Sequence, residues 1–176
     1  HMDTPNDSRI TISKLDGALR QLETAITLWF HDGDPFSIQT LAAAASQVLY
    51  DVNKHRNGAP LLLDPSLIKP EYHKEYHKAL KSAPNFLKHA DKDPEDSITF
   101  DPNLNKILLF EAVFNFGIIT KQPITPIFNC MFHWFFTRNP QYFQTEQAEI
   151  LRKSIPVNDL LKLDRREFFV ALTKGA

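Results

Sequence analysis

Ile12, Leu15, Leu19, Leu22, Ile26 and Trp29 recur at spacings of three, four, three, four and three residues. An α-helix returns side chains to one face at that rhythm, so the segment reads as an amphipathic helix of about five turns with a single apolar stripe. Ala18, Ala25 and Phe30 widen the stripe, while Lys14, Asp16, Arg20, Gln21 and Glu23 fall mostly on the other side. A stripe of that length must be covered by other elements. Gly33 is expected to end this helix, at the position where a residue of positive φ is usually wanted.

The short Gly33 link makes the second helix an antiparallel neighbour of the first. It opens on Asp34-Pro35: an Asp side chain accepts from the first free N–H groups, and Pro at the first helical position gives up no bond. Ile38, Leu41, Ala45, Val48, Leu49 and Val52 form its apolar face, and the alanine run from 42 to 45 allows close helix approach. Lys54-His55-Arg56-Asn57-Gly58 closes it, with positive charge near the negative end of the helix dipole. Pro60, Asp64-Pro65 and Pro70 make residues 59–70 a connector. The pattern then predicts a helix over 71–82, ended before Pro84, and a further turn or two over 85–90. An acidic loop over 91–96 and an extended bridge over 97–100 follow. Asp101-Pro102 and Thr125-Pro126 start helices over 104–117 and 127–137, both apolar most of the way round and therefore central. Arg138-Asn139-Pro140 breaks the second of these, and residues 142–153 and 156–173 read as the last two helices. No convincing period-two pattern appears. The expected fold is all-α, a single-domain bundle of six or seven helices over residues 10–176. Residues 1–9 form a polar, disordered lead-in in which His1-Met2 reads as a tag remnant.

A chain of 176 residues can bury a core without disulfides or metal. Cys130 is its only cysteine, which excludes an intrachain disulfide and any multi-cysteine zinc or iron–sulfur site, and fits a reducing, cytoplasmic setting. Lys plus Arg total 20 against 21 Asp plus Glu, so bulk electrostatic attraction to nucleic acid is not expected. The longest apolar stretch, 107–119, is interrupted by Glu111 and Asn115 and is shorter than the ~20 residues a membrane span needs. No membrane partner and no cofactor are expected. The 14 Phe residues suggest apolar surface left over for an interface, hence a homo-oligomer or a small protein partner.

The densest chemistry lies in Asn85-Phe86-Leu87-Lys88-His89-Ala90-Asp91. On a helix, offsets of three and four residues bring Asn85, Lys88 and His89 to one face. Phe86 and Leu87 would anchor the segment, Asp91 would hold the imidazole tautomer, and Lys88 would offer positive charge to a phosphate. The structural alternative is that Asn85 and His89 satisfy backbone groups at a helix end.

With its two opening helices, the Ala-rich second member and the later Asn-x-x-x-His, the chain resembles the HEPN superfamily of small bacterial helical proteins. Many members are toxins or phage-defence ribonucleases. The family motif is Arg, a polar residue, three residues and His. Asn85 and His89 match its latter part, and Pro84 stands where the family has Arg. The resemblance implies a degenerate member of a bacterial stress, defence or toxin–antitoxin type system, acting as an interaction module. Its alternative is an RNA-directed endoribonuclease with His89 as acid or base.

His73 and His77 stand at i and i+4, a spacing that can place two imidazoles on one metal. With His89 they would make a metal-dependent enzyme, although Glu75 is misplaced for the zinc-protease pattern. Asp91, Asp93, Glu95 and Asp96 lack the central Gly of a calcium loop and read as a solvated turn. Lys54, His55, Arg56, Lys69, Lys74, Lys78, Lys81, Lys88 and Lys92, interleaved with Tyr72 and Tyr76, offer an RNA-facing patch or simply a solvated face. His133 and Cys130, among aromatics, are expected in the core.

Overall fold

The computed structural model describes residues 8–61, 74, 84–86, 89–143 and 145–174. Helix α1, Lys14–Phe30, begins at a capping box: Ser13 Oγ accepts the Asp16 N–H at 3.1 Å, and the Asp16 carboxylate accepts the Ser13 N–H at 3.4 Å. At its far end the Gly33 N–H donates to Leu28 O at 2.7 Å and the Asp32 N–H to Trp29 O at 3.4 Å. This is a Schellman closure. The left-handed residue is Asp32, with φ 56°, and not Gly33 as the sequence suggested. Gly33 serves close approach instead, because a Cβ there would lie 3.0 Å from Leu28 Cβ, Cδ2 and O.

Helix α2, Pro35–His55, opens as expected, with Asp34 accepting the Ser37 N–H at 2.7 Å. A 3-10 turn, Pro102–Leu104, leads into α3, Asn105–Thr120. Helix α4, Pro126–Arg138, is capped by Thr125 Oγ1, which accepts the Phe128 N–H at 3.3 Å. The next helix begins later than the sequence pattern suggested. Pro140–Tyr142 is a 3-10 turn, and α5, Glu146–Ser154, starts at a Thr145 cap. The single helix expected over 156–173 is two, α6 (Val157–Leu160) and α7 (Arg165–Thr173). A second capping box splits them: Asp164 accepts the Glu167 N–H at 2.9 Å and Glu167 accepts the Asp164 N–H at 3.0 Å. Pro84 itself has helical backbone. The helix expected over 71–82 lies outside the described residues, apart from Lys74. Among the described residues there is no strand, and the fold is all-α. No helix among them is long and apolar enough to cross a membrane.

Helix α3 is the axis. It buries Leu108, Leu109, Phe110, Ala112, Val113 and Phe116. Helices α1, α2 and α4 pack around it, and α7 lies against α4 and the end of α1. The sequence reading left α7 out of the central bundle, yet Phe168 is 0% exposed. Its ring stacks on Phe30 at 6.2 Å and takes the edge of Trp134 at 5.1 Å. Seven of the 14 Phe side chains are buried and seven are half-buried, so none is fully displayed.

Phe168→Ala is expected to destabilise the fold by about 3–5 kcal/mol in urea unfolding, the range for emptying a buried aromatic site. Ile150→Ala, at a side chain 62% exposed, is expected to change stability by less than about 0.5 kcal/mol.

Candidate functional site

The segment singled out by sequence starts on the helical backbone of Pro84, Asn85 and Phe86, and His89 lies on irregular backbone beyond it. Asn85 and His89 are exposed. They share a cleft of about 660 Å³ with Asp91, Lys92, Asp93 and Asp96. Asp91 is thus brought to the same cleft, but no hydrogen bond or ion pair joins it to His89. Pro84 is buried and presents no functional group in place of the family's Arg. Lys88, the third member of the expected face, lies outside the described residues. So do His73 and His77, the proposed metal pair, and Lys81, Tyr72 and Tyr76 of the basic patch. Among the described residues no group of three or more His, Cys, Asp or Glu side chains could hold a metal ion.

A second concave site was not anticipated from the sequence. Near the junction of α1, α4 and α7, a groove of about 500 Å³ is lined by Trp29, Trp134, Arg138, Arg165, Lys106 and Asn105, among others. Its geometry follows from helix ends. The last carbonyls of a helix lack intrahelical partners, and cations there also meet the negative end of the dipole. Arg165 reaches back to α1, donating Nη1 to Trp29 O at 2.9 Å and Nη2 to the Asp32 carboxylate. Arg166 Nε lies 3.6 Å from the other Asp32 oxygen. Arg138 donates Nη2 to Leu160 O at 3.0 Å and Leu163 O at 2.8 Å, and Nη1 to Thr137 Oγ1 at 3.2 Å. Both guanidinium groups lie over indoles, Arg138 at 3.4 Å from the Trp134 ring centre and Arg165 at 4.7 Å from that of Trp29. Burial lowers the Arg138 pKa from its ordinary value, although a guanidinium stays charged in proteins. Sequence reasoning missed this groove because Arg165 and Trp29 are 136 residues apart. The pairs Arg138-Asn139 and Arg165-Arg166 beside helix boundaries were the available signal.

Three further buried or half-buried groups among the described residues bear on the chemistry. Cys130 is 0% exposed, and burial pushes its thiol up to about 12, so it is a packed thiol and not a nucleophile. His133, expected in the core, is only half-buried; it donates Nδ1–H to Asn129 O at 2.9 Å. Glu111 is buried on α3, and desolvation raises its carboxyl to about 8 against the opposing hydrogen bond from Asn115 Nδ2 at 3.4 Å. It is therefore a neutral acid at pH 7.

No family model matches the chain, and comparison with curated proteins and with solved structures finds no match.

Glu111 makes stability fall with rising pH. The unfolded chain releases its proton near 4.5, the native state only near 8, so native protein binds more protons between those values. Its contribution is complete below pH 4.5 and lost as pH rises through 8. Glu111→Gln does not titrate. Its melting temperature is expected to exceed that of wild type most above pH 8, by the equivalent of on the order of a few kcal/mol, with the gap closing towards pH 4.5.

Proposed function

We propose that the chain is an interaction module of a bacterial stress, defence or toxin–antitoxin type system. In this reading it is degenerate relative to the HEPN pattern and works in the cytoplasm by self-association or with a small protein partner. The observation that carries the reading is the charge of the His89 cleft. Its described lining sets Asp91, Asp93 and Asp96 against Lys92. A phosphodiester is itself anionic, and carboxylates around the imidazole repel it. The buried Pro84 offers no cation to the charge that builds on phosphorus during cleavage. Support for association comes from α5, which buries only Ala148 and leaves Ile150 62% exposed, with Tyr142 of the preceding turn 43% exposed.

A second reading, RNA cleavage with His89 as acid or base, draws on one observation: Asn85 and His89 both open into the same cleft. The two readings part in one assay. Purified protein incubated with structured RNA is expected to cleave no more than a folded His89→Ala variant. Cleavage that disappears in His89→Ala would overturn the interaction reading in favour of the second. In light scattering, the apparent mass is expected to rise with concentration from 20.2 kDa towards a dimer, and Ile150→Asp to hold it at the monomer. A strict monomer at high concentration would remove the self-association form.

A further inference from the structure

Among the described residues, the groove near the junction of α1, α4 and α7 shares no lining residue with the His89 cleft, and its charge is of the opposite sign. Arg138, Arg165 and Lys106 face it against a single carboxylate among the described residues, Asp32. That carboxylate is already paired with both Arg165 and Arg166. Arg138 has no carboxylate partner among the described residues, and Lys106 makes no ion pair or hydrogen bond with them. Three of the five Arg138 N–H groups go to Thr137, Leu160 and Leu163, which leaves two uncommitted. A partly desolvated guanidinium without a counter-ion is an incomplete site.

Asn105 fixes part of the same wall: it is 1% exposed and donates Nδ2 to Pro35 O at 2.9 Å. Its Oδ1 is sealed from solvent and out of a ligand's reach. The groove's volume of about 500 Å³ is that of a small-molecule site.

We propose that this groove binds a small organic phosphomonoester. Arg138, Arg165 and Lys106 hold the phosphate. After Asp32 is set against one of the three cations, two positive charges remain. That matches a phosphomonoester, at about −1.5 to −2 near neutral pH, better than a carboxylate of single charge. Guanidinium forks suit phosphate oxygens, and the indoles beneath Arg138 and Arg165 hold both groups in place before a ligand arrives.

Trp29 and Trp134 are the only tryptophans in the chain, so indole fluorescence reports on this groove alone. The full chain is titrated with glycerol 3-phosphate, inorganic phosphate, acetate and chloride at matched ionic strength, by fluorescence and by calorimetry. Glycerol 3-phosphate is expected to saturate, inorganic phosphate to bind more weakly, and acetate and chloride to give no saturable signal. Lys106→Gln is expected to weaken glycerol 3-phosphate binding about tenfold, the size of one lost charge-assisted contact, with unchanged melting. Arg138→Lys keeps the charge but loses the fork, and is expected to weaken it as well. Absence of binding by both methods, an equal response to chloride or acetate, or wild-type affinity in Lys106→Gln would each overturn the proposal.

Discussion

A helix with no polar face has to be wrapped on every side, and α3 is such a helix. Leu108, Leu109, Phe110, Ala112, Val113 and Phe116 point in enough directions that no two-layer arrangement could cover them. The remaining helices are organised by that demand. Helices α1 and α2 contribute a pair of facing stripes, and α4 brings Phe128, Met131, Phe135 and Phe136. Phe110 stacks on Phe135 at 4.3 Å, so the two most apolar helices meet ring to ring. What the four leave open, at Phe30 and Trp134, Phe168 of α7 closes. Residues this far apart in sequence come together because apolar area, and not chain proximity, sets the free energy of burial.

Arginine then finishes what the apolar packing leaves unsatisfied. Helix ends and turns carry orphan carbonyl oxygens. Arg165 and Arg166 take those of Trp29 and His31, Arg138 those of Leu160 and Leu163, and Arg152 those of Pro140 and Phe143. The same contacts gather positive charge in the groove beside Trp29 and Trp134. Meanwhile Asp91, Asp93 and Asp96 gather negative charge around His89. A net charge of −1 thus hides two clefts of opposite sign. The local field and not the total charge decides what each cleft attracts.

The local grammar of the chain was legible in the sequence. Asp34-Pro35 and Thr125-Pro126 start helices where their side chains can accept the first free N–H groups, and the periodicity of residues 15–29 names the inner face of α1, whereas Ile12 precedes the helix and is 46% exposed. The errors are also local. Gly33 draws the eye as the left-handed residue, but Asp32 tolerates that conformation and leaves Gly33 to the contact with Leu28. The break between α6 and α7 was written in Asp164 and Glu167, whose reciprocal caps stop a helix from running through.

By itself, then, the order of residues determined that this protein is all-α, which of its helices are central, and that Asn85 and His89 are worth attention. These follow from periodicity, capping and composition, which act within a few turns of chain. Only the tertiary structure decided that α7 belongs to the core, which seven of the 14 Phe side chains are buried, and that Arg138, Arg165 and Lys106 share a groove with Asn105. Those outcomes depend on which surfaces meet across more than a hundred residues, a choice made by the packing of the whole bundle and not by any one segment.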